Sequence, residues 1–199
     1  MRSHRFLCLS LVLFATVVAA QTMEDAGRLY EKGDYKGAVA VLEKMSGQGN
    51  AEAQYELGAV YMKGVAGVPQ NTAKGIALWE SAAAKGLPIA QFVLGTELFK
   101  GQLVARDPKR GMSLLQASAK QKYGAAQFSL CMEMSADDGP FYDAVEAYAW
   151  CKAAAMKPTR VAERAGVRVN ETLGKIMLRQ GVDAVQIAKV RAAKYEKDY

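Results

Sequence analysis

A glutamine returns three times along this chain at nearly equal steps. AEAQYELGAVYMKG opens at Ala51, IAQFVLGTELFKG at Ile89 and AAQFSLCMEM at Ala125, which sets Gln54, Gln91 and Gln127 apart by 37 and then 36 residues. A fixed period of this length marks a stacked helical repeat, whose units are too small to bury their apolar faces alone and lean on their neighbours. Every other segment must fit that grid.

Each unit reads as two helices. In the first, Leu57, Leu94 and Leu130 are followed by the small residues Gly58, Gly95 and Cys131, then by Tyr61, Leu98 and Met134. The 3-to-4 spacing puts the large residues on one helical face. Glycine inside a helix costs about 1 kcal/mol relative to alanine, so its return at one phase predicts a notch where a second helix passes closely. The second helix is expected to fill the notch with Trp79, Leu114 and Trp150, followed by the small pairs Ala82 and Ala83, Ala117 and Ser118, Ala153 and Ala154. Gly64, Gly86 and Gly101 suit the left-handed caps that end helices.

These residues resemble a known family. A-x-A-Q-x-x-L-G-x-x-Y-x-x-G, a loop with G-V-x-x-N, then K-x-x-x-L-W-x-x-x-A-A-x-x-G, is similar to the Sel-1-like repeat, a relative of the tetratricopeptide repeat. The match is close from Ala51 to Gly86, good from Ile89 to Gln121 and degenerate from Ala125 to Met156, where Asp137, Asp138, Gly139 and Pro140 replace the glycine-rich loop. The resemblance implies an all-α, right-handed α-solenoid of antiparallel helical hairpins with a concave face, used for protein–protein contact. It implies no reaction.

The chain opens on an address. Arg2 and Arg5 precede an apolar run from Phe6 to Val18, and Val18, Ala19 and Ala20 close it with the small residues a signal peptidase reads. That run is shorter than the ~20 residues of a permanent span, so residues 1–20 read as a cleaved secretory signal, with Gln21 the mature N-terminus. Residues 21–199 then form one domain of about five hairpins at roughly 36 residues each. The expected units are 23–50 as an N-terminal capping hairpin, 51–87, 88–122 and a degenerate 123–157, with 158–199 as C-terminal capping helices.

In the cap at the start, Ala26, Leu29 and Tyr30 lie on one helix and Ala38, Val41, Leu42 and Met45 on the next, around Gly33-Asp34-Tyr35. Pro158 breaks the chain before a helix from Thr159 to Gln180, with Val161, Ala165, Val169, Leu173, Ile176 and Met177 as its apolar stripe. Gly181 ends it. Asp183 and Gln186 resemble a capping box for a last helix packing through Ile187, Val190 and Tyr195.

Charge is uneven. The last 43 residues hold 10 bases and 5 acids, whereas residues 21–156 hold 14 bases and 15 acids. A basic end suits nucleic acid, anionic lipid or an acidic protein. Export removes nucleic acid from that set and leaves membrane contact at most peripheral. Arg160, Arg164 and Arg168, at four-residue steps, share one helix flank: a docking ridge, or the commoner solvated face.

Little here carries chemistry. His4 is the lone histidine and lies in the signal, so the commonest general base and metal ligand is missing from the mature chain. No nucleophile elbow, zinc motif or phosphate-cradling glycine loop follows, and no cofactor or metal is expected. Cys131 and Cys151 fall on the two helices of one hairpin. A bridge between them would contribute about 3 kcal/mol, yet Cys131 also suits a core position as a free thiol, and cysteine-rich members of the family place their pairs elsewhere. Both states stay open.

The candidate site is a stripe. Tyr55, Phe92 and Phe128 follow the repeated glutamine, and Met62 and Phe99 fall seven residues beyond the first two. In tetratricopeptide-like stacks this phase looks toward the concave groove, where apolar residues can receive a peptide or helix. The commoner use of such a stripe is packing between hairpins. The sequence thus points to an exported, monomeric, non-catalytic scaffold for a protein or peptide partner. The rival reading is an envelope protein that binds or weakly acts on peptidoglycan or β-lactam-like material, and the missing histidine counts against it.

Overall fold

The computed structural model describes residues 22–156 and 159–199. The apolar N-terminal run, the cleavage point expected after it and Pro158 lie outside them. Nine helices follow one another among the described residues: α1 (Met23–Glu31), α2 (Tyr35–Gly47), α3 (Ala51–Lys63), α4 (Thr72–Ala84), α5 (Pro88–Lys100), α6 (Pro108–Lys120), α7 (Gly124–Ser135), α8 (Ala144–Ala155) and α9 (Arg160–Asp198). Each packs mainly on the helix before and the helix after it, which makes the stack an all-α solenoid.

Short polar side chains start the helices. Thr22 and Asp25 form a reciprocal capping box at α1, while Asn50, Asn71, Asp107, Asp143 and Thr159 each accept the N–H three residues on. Three of these caps also fix the loops. The backbone N–H groups of Asn71, Asp107 and Asp143 donate to the carbonyls of Tyr61, Leu98 and Met134 at 2.8, 3.0 and 2.9 Å. The loop bearing Asp137-Asp138-Gly139-Pro140 therefore closes on α7 as the glycine-rich loops close on α3 and α5.

The repeated glutamine joins one hairpin to the next. Buried Gln54, Gln91 and Gln127 donate through Nε2 to the carbonyls of Ser46, Ala83 and Ala119, at the end of the preceding second helix, over 3.4, 3.3 and 3.2 Å. Each carbonyl also accepts the backbone N–H three residues on, from Gly49, Gly86 and Lys122, so the glutamine adds a second hydrogen bond to an acceptor at a helix end.

Within the hairpins glycine meets glycine. A Cβ on Gly58 would lie 2.6 Å from Trp79 Cδ1 and 3.0 Å from the Gly75 carbonyl oxygen, and one on Gly95 would lie 3.0 Å from the Gly111 carbonyl oxygen and 3.2 Å from Leu115. In the third hairpin Cys131 bonds to Cys151, with their Cα atoms 4.9 Å apart. The residues that meet the notches are thus Trp79, Leu115 and Cys151, a step of 36 each time, set by the caps Asn71, Asp107 and Asp143. Leu114 of the expected series touches the Gly95 notch as well, its Cβ 3.3 Å away, so the correction falls on Trp150, whose place Cys151 takes. The buried small pair of α6 is likewise Ser118 and Ala119 rather than Ala117 and Ser118. Trp150 looks the other way, packing at a tilt on Tyr195 of α9 and stacking on Tyr199, which caps that helix.

The C-terminal cap reverses without a loop. Gly181, at φ 85° and ψ −175°, is the one non-helical residue inside α9, a conformation open to glycine. The arm before it runs alongside α7, since Arg164 meets Phe128, Lys175 meets the Ser135 carbonyl and Arg179 meets Asp137. The arm after it follows α8, with Arg191 on Glu146 and Glu196 on Lys152. Because α7 and α8 are antiparallel, the two arms form a fifth hairpin. Asp183 and Gln186 make no capping hydrogen bond among the described residues; the second arm resumes directly after Gly181. Its inward face is Val185, Ala188 and Ala192, and Ile187 and Val190 point outward, contrary to the pattern read from sequence. On the first arm Ala162 and Thr172 are buried, whereas Met177 is exposed.

Candidate binding surfaces

The five stripe residues are all half-buried, and each has a neighbour to pack on. Tyr55 stacks on Trp79, Phe92 on Tyr123 and Phe99 edge-on to Phe141, while Phe128 lies 5.1 Å beneath the Arg164 guanidinium. Met62 and Phe99 also repeat one job: Met62 Sδ and the Phe99 ring press on Gly75 and Gly111, the glycines of the hairpin crossings. Much of the stripe thus fills space within and between hairpins. Tyr55 alone of the five also lines one of the surface clefts described below.

The basic ridge is divided. Arg160 is exposed with no ion pair among the described residues, Arg164 covers Phe128, and Arg168 pairs with Glu171 at 2.8 Å. A single anionic surface cannot engage all three without breaking those contacts.

A groove lies instead where α1 crosses α3, over α2. It encloses about 430 Å³ above a floor of Ala26, Gly27, Leu42, Ala59 and Val60. Tyr30, Glu31, Glu56 and Lys63 form its rim. Gly27 keeps it open, because a Cβ there would meet nothing within 4 Å. On α3 the residues that line it are Glu56, Ala59, Val60 and Lys63, a face next to that of Tyr55 and Met62. A shallower cleft of about 250 Å³ continues past Glu52, Tyr55 and Glu56 toward Leu87 and Ile89.

Behind the groove, Tyr61 of α3 donates to Glu43 of α2 at 2.8 Å, and Lys74 of α4 donates to the Tyr61 oxygen at 2.7 Å and to Glu43 at 3.1 Å. The Tyr61 hydrogen bond and then Lys74 hold the Glu43 carboxyl below its usual range, and the same contacts raise Lys74. This triad clamps the first two hairpins together. Glu146 does the same at the other end, accepting from Tyr195 and from Arg191; burial, then that carboxylate, pushes the Tyr195 phenol up. Neither triad has spacing regular enough to be seen in the sequence.

No group of three or more metal-binding side chains occurs among the described residues, and none of their helices is long and apolar enough to cross a membrane. What the surface offers chemically is apolar area, rim charges and fixed helix faces.

The comparisons agree with this architecture. Residues 51–87, 88–123 and 124–158 each match the Sel1 repeat. No curated protein has a matching sequence. A Sel1 repeat protein from Oxalobacter formigenes is 29% identical over 65% of this chain and 95% of its own, with a TM-score of 0.59. A protective antigen of uropathogenic Escherichia coli strains with an SLR fold is 23% identical over 90% of this chain, with a TM-score of 0.56; the chain spans 46% of that protein's length. Proteins made of this repeat are in general scaffolds for protein–protein interaction and typically non-catalytic.

Proposed function

Because the chain belongs to the Sel1 repeat family, we propose that it is an exported, monomeric, non-catalytic scaffold that seats an apolar segment of a partner protein in the groove between α1 and α3. The observation that carries this reading is the groove itself: an apolar floor, a charged rim and a mid-helix glycine that holds the space open. Glycine at that position costs about 1 kcal/mol relative to alanine in an exposed helix, a cost that packing within α1 does not recover. A segment with two or three apolar side chains on one face would bury them against Leu42, Ala59 and Val60, with Glu31, Glu56 and Lys63 fixing its register. The preformed helices spare the ordering cost that a flexible site would add.

Two features support export. One is the basic, apolar and small-residue series from Arg2 to Ala20. The other is the fully buried Cys131–Cys151 bridge, which persists in an oxidising compartment. The test of the binding reading is Gly27→Phe, whose Cβ has no atom within 4 Å and whose ring is bulky enough to fill the groove. Partner binding should be lost with the melting temperature kept, and unchanged binding would exclude the groove.

A further inference from the structure

The groove between α1 and α3 carries net charge at one end only. Met23 shares the shallower cleft with Glu52, Tyr55 and Glu56, so the starts of α1 and α3 lie side by side. Glu24 stands one turn before Gly27 on the same flank of α1. Three acids thus gather at the two starts: Glu24, Glu52 and Glu56. At the other end the rim holds one acid, Glu31, and one base, Lys63. All five are exposed and make no ion pair among the described residues.

The other charges of these helices are engaged or point elsewhere. Asp25 and Arg28 pair with each other and, with Lys32, line another flank of α1. Asp34 caps α2, and Glu43 is held by Tyr61 and Lys74 behind the groove. Lys36 and Lys44 lie two residues from Ala38 and Leu42, which α2 turns to the groove, so both project from its far side. α3 bears no charge besides Glu52, Glu56 and Lys63. Lys85, across the junction from the start of α3, donates to the Gly49 carbonyl at 2.8 Å. Even with it counted, acids outnumber bases at this end.

The floor selects the occupant's backbone. Ala26, Leu42, Ala59 and Val60 sit on helices whose N–H and C=O groups are used along the helix axis. An extended segment would lay its backbone polar groups on that apolar floor with nothing to pair them, whereas a helix satisfies its own. From Glu52 to Lys63 α3 rises about 16 Å, three helical turns. Direction follows from charge. Bases sit best in the last turn of a helix, so a helix whose bases cover Glu24, Glu52 and Glu56 runs antiparallel to α1 and α3 and sets its negative end beside their positive ends.

We propose, taking this groove as the binding site, that its occupant is an amphipathic helix of another protein, with lysine or arginine in its last turn, docked antiparallel to α1 and α3. An anionic bilayer is repelled by the same acids.

The test uses the full chain and three synthetic peptides of about 20 residues, long enough to be helical in water. The first has one leucine stripe and lysines in its last turn, the second has glutamine in place of those lysines, and the third is the first with a proline at its centre, which breaks the helix. Fluorescence anisotropy should show the lysine peptide binding about fivefold more tightly than the glutamine peptide. That preference should vanish in a chain carrying Glu52→Gln with Glu56→Gln and persist in one carrying Lys63→Gln. The proline peptide should bind about tenfold more weakly or worse. A lysine preference that survives the loss of both glutamates, equal binding of the proline peptide, or no saturable binding of the lysine peptide overturns the proposal. So does self-association that Gly27→Phe abolishes, which would name a second copy as the occupant. Gly27→Phe also separates this proposal from the groove itself. If it abolishes peptide binding while the lysines have no effect, the groove stands and this occupant falls; if the lysine peptide binds undisturbed, the groove falls.

Discussion

Gly95 and Gly111 meet backbone to backbone. A Cβ on Gly111 would lie 2.8 Å from the Gly95 carbonyl oxygen and 2.9 Å from the Phe99 ring, so α5 and α6 approach as closely as two helices can. Gly111→Ala therefore forces the helices apart. The overpacking cost of about 1–3 kcal/mol exceeds the gain in helix propensity of about 1 kcal/mol, and thermal unfolding should show a net loss. Gly174→Ala, in open space, should show the opposite sign, a gain of about 0.5–1 kcal/mol.

The glutamine series makes a second expectation. Gln91 donates to the Ala83 carbonyl across the junction between consecutive hairpins, and accepts at 2.9 Å from Gln121, which ends the second helix of its own hairpin. Gln91→Leu keeps bulk but removes both hydrogen bonds, leaving the Ala83 carbonyl with the Gly86 N–H alone. The cost should be about 1–3 kcal/mol in denaturant unfolding. Hydrogen exchange should also quicken at the α4–α5 junction ahead of the rest of the stack, because the interfaces of a solenoid open locally.

Removal of the Cys131–Cys151 bridge by double substitution to alanine should cost about 3 kcal/mol. For a chain of this size that lowers the melting temperature by about 6–12 °C. Thiol labelling of the denatured, unreduced protein should find neither cysteine free. Two labelled thiols would remove the bridge from the account.

Glu133 gives a pH signature. Burial on α7 raises its carboxyl above the ordinary value of 4.5, and Arg106 opposes the shift only in part. A raised folded pKa means that the folded chain holds this proton more tightly than the unfolded one. The associated stability is complete below the unfolded pKa and is lost as pH rises through the folded pKa. Glu133→Gln carries no such loss. The stability of the variant minus that of the parent should grow as pH climbs through that window and then level off. A difference independent of pH would mean that the carboxyl feels no burial.

The period, the notches and the helical class could all be read from the sequence, because they follow from spacing. The register of the second helices could not: Trp79 and Trp150 look alike as letters, but Trp79 fills a notch and Trp150 packs on α9. The last helix misled for a related reason. A pattern of apolar residues favours Ile187 and Val190 as the inward face, whereas a close crossing selects Ala188 and Ala192. Lys122 shows the same limit. It takes the left-handed conformation, φ 64°, at the position that Gly49 and Gly86 fill in the earlier junctions, with no glycine to announce it. The groove was out of reach for a different cause. One wall of it comes from α1, which precedes the recurring pattern and shares none of its marks.

Placing a photo-reactive residue at Ala59, on the groove floor, and in a second protein at Ser113, exposed on α6, tests the central claim in intact cells. The account predicts that Ala59 captures one defined protein, that Ser113 does not, and that adding Gly27→Phe abolishes the capture. Equal capture at both positions, or capture at Ala59 that survives the plugged groove, would contradict it.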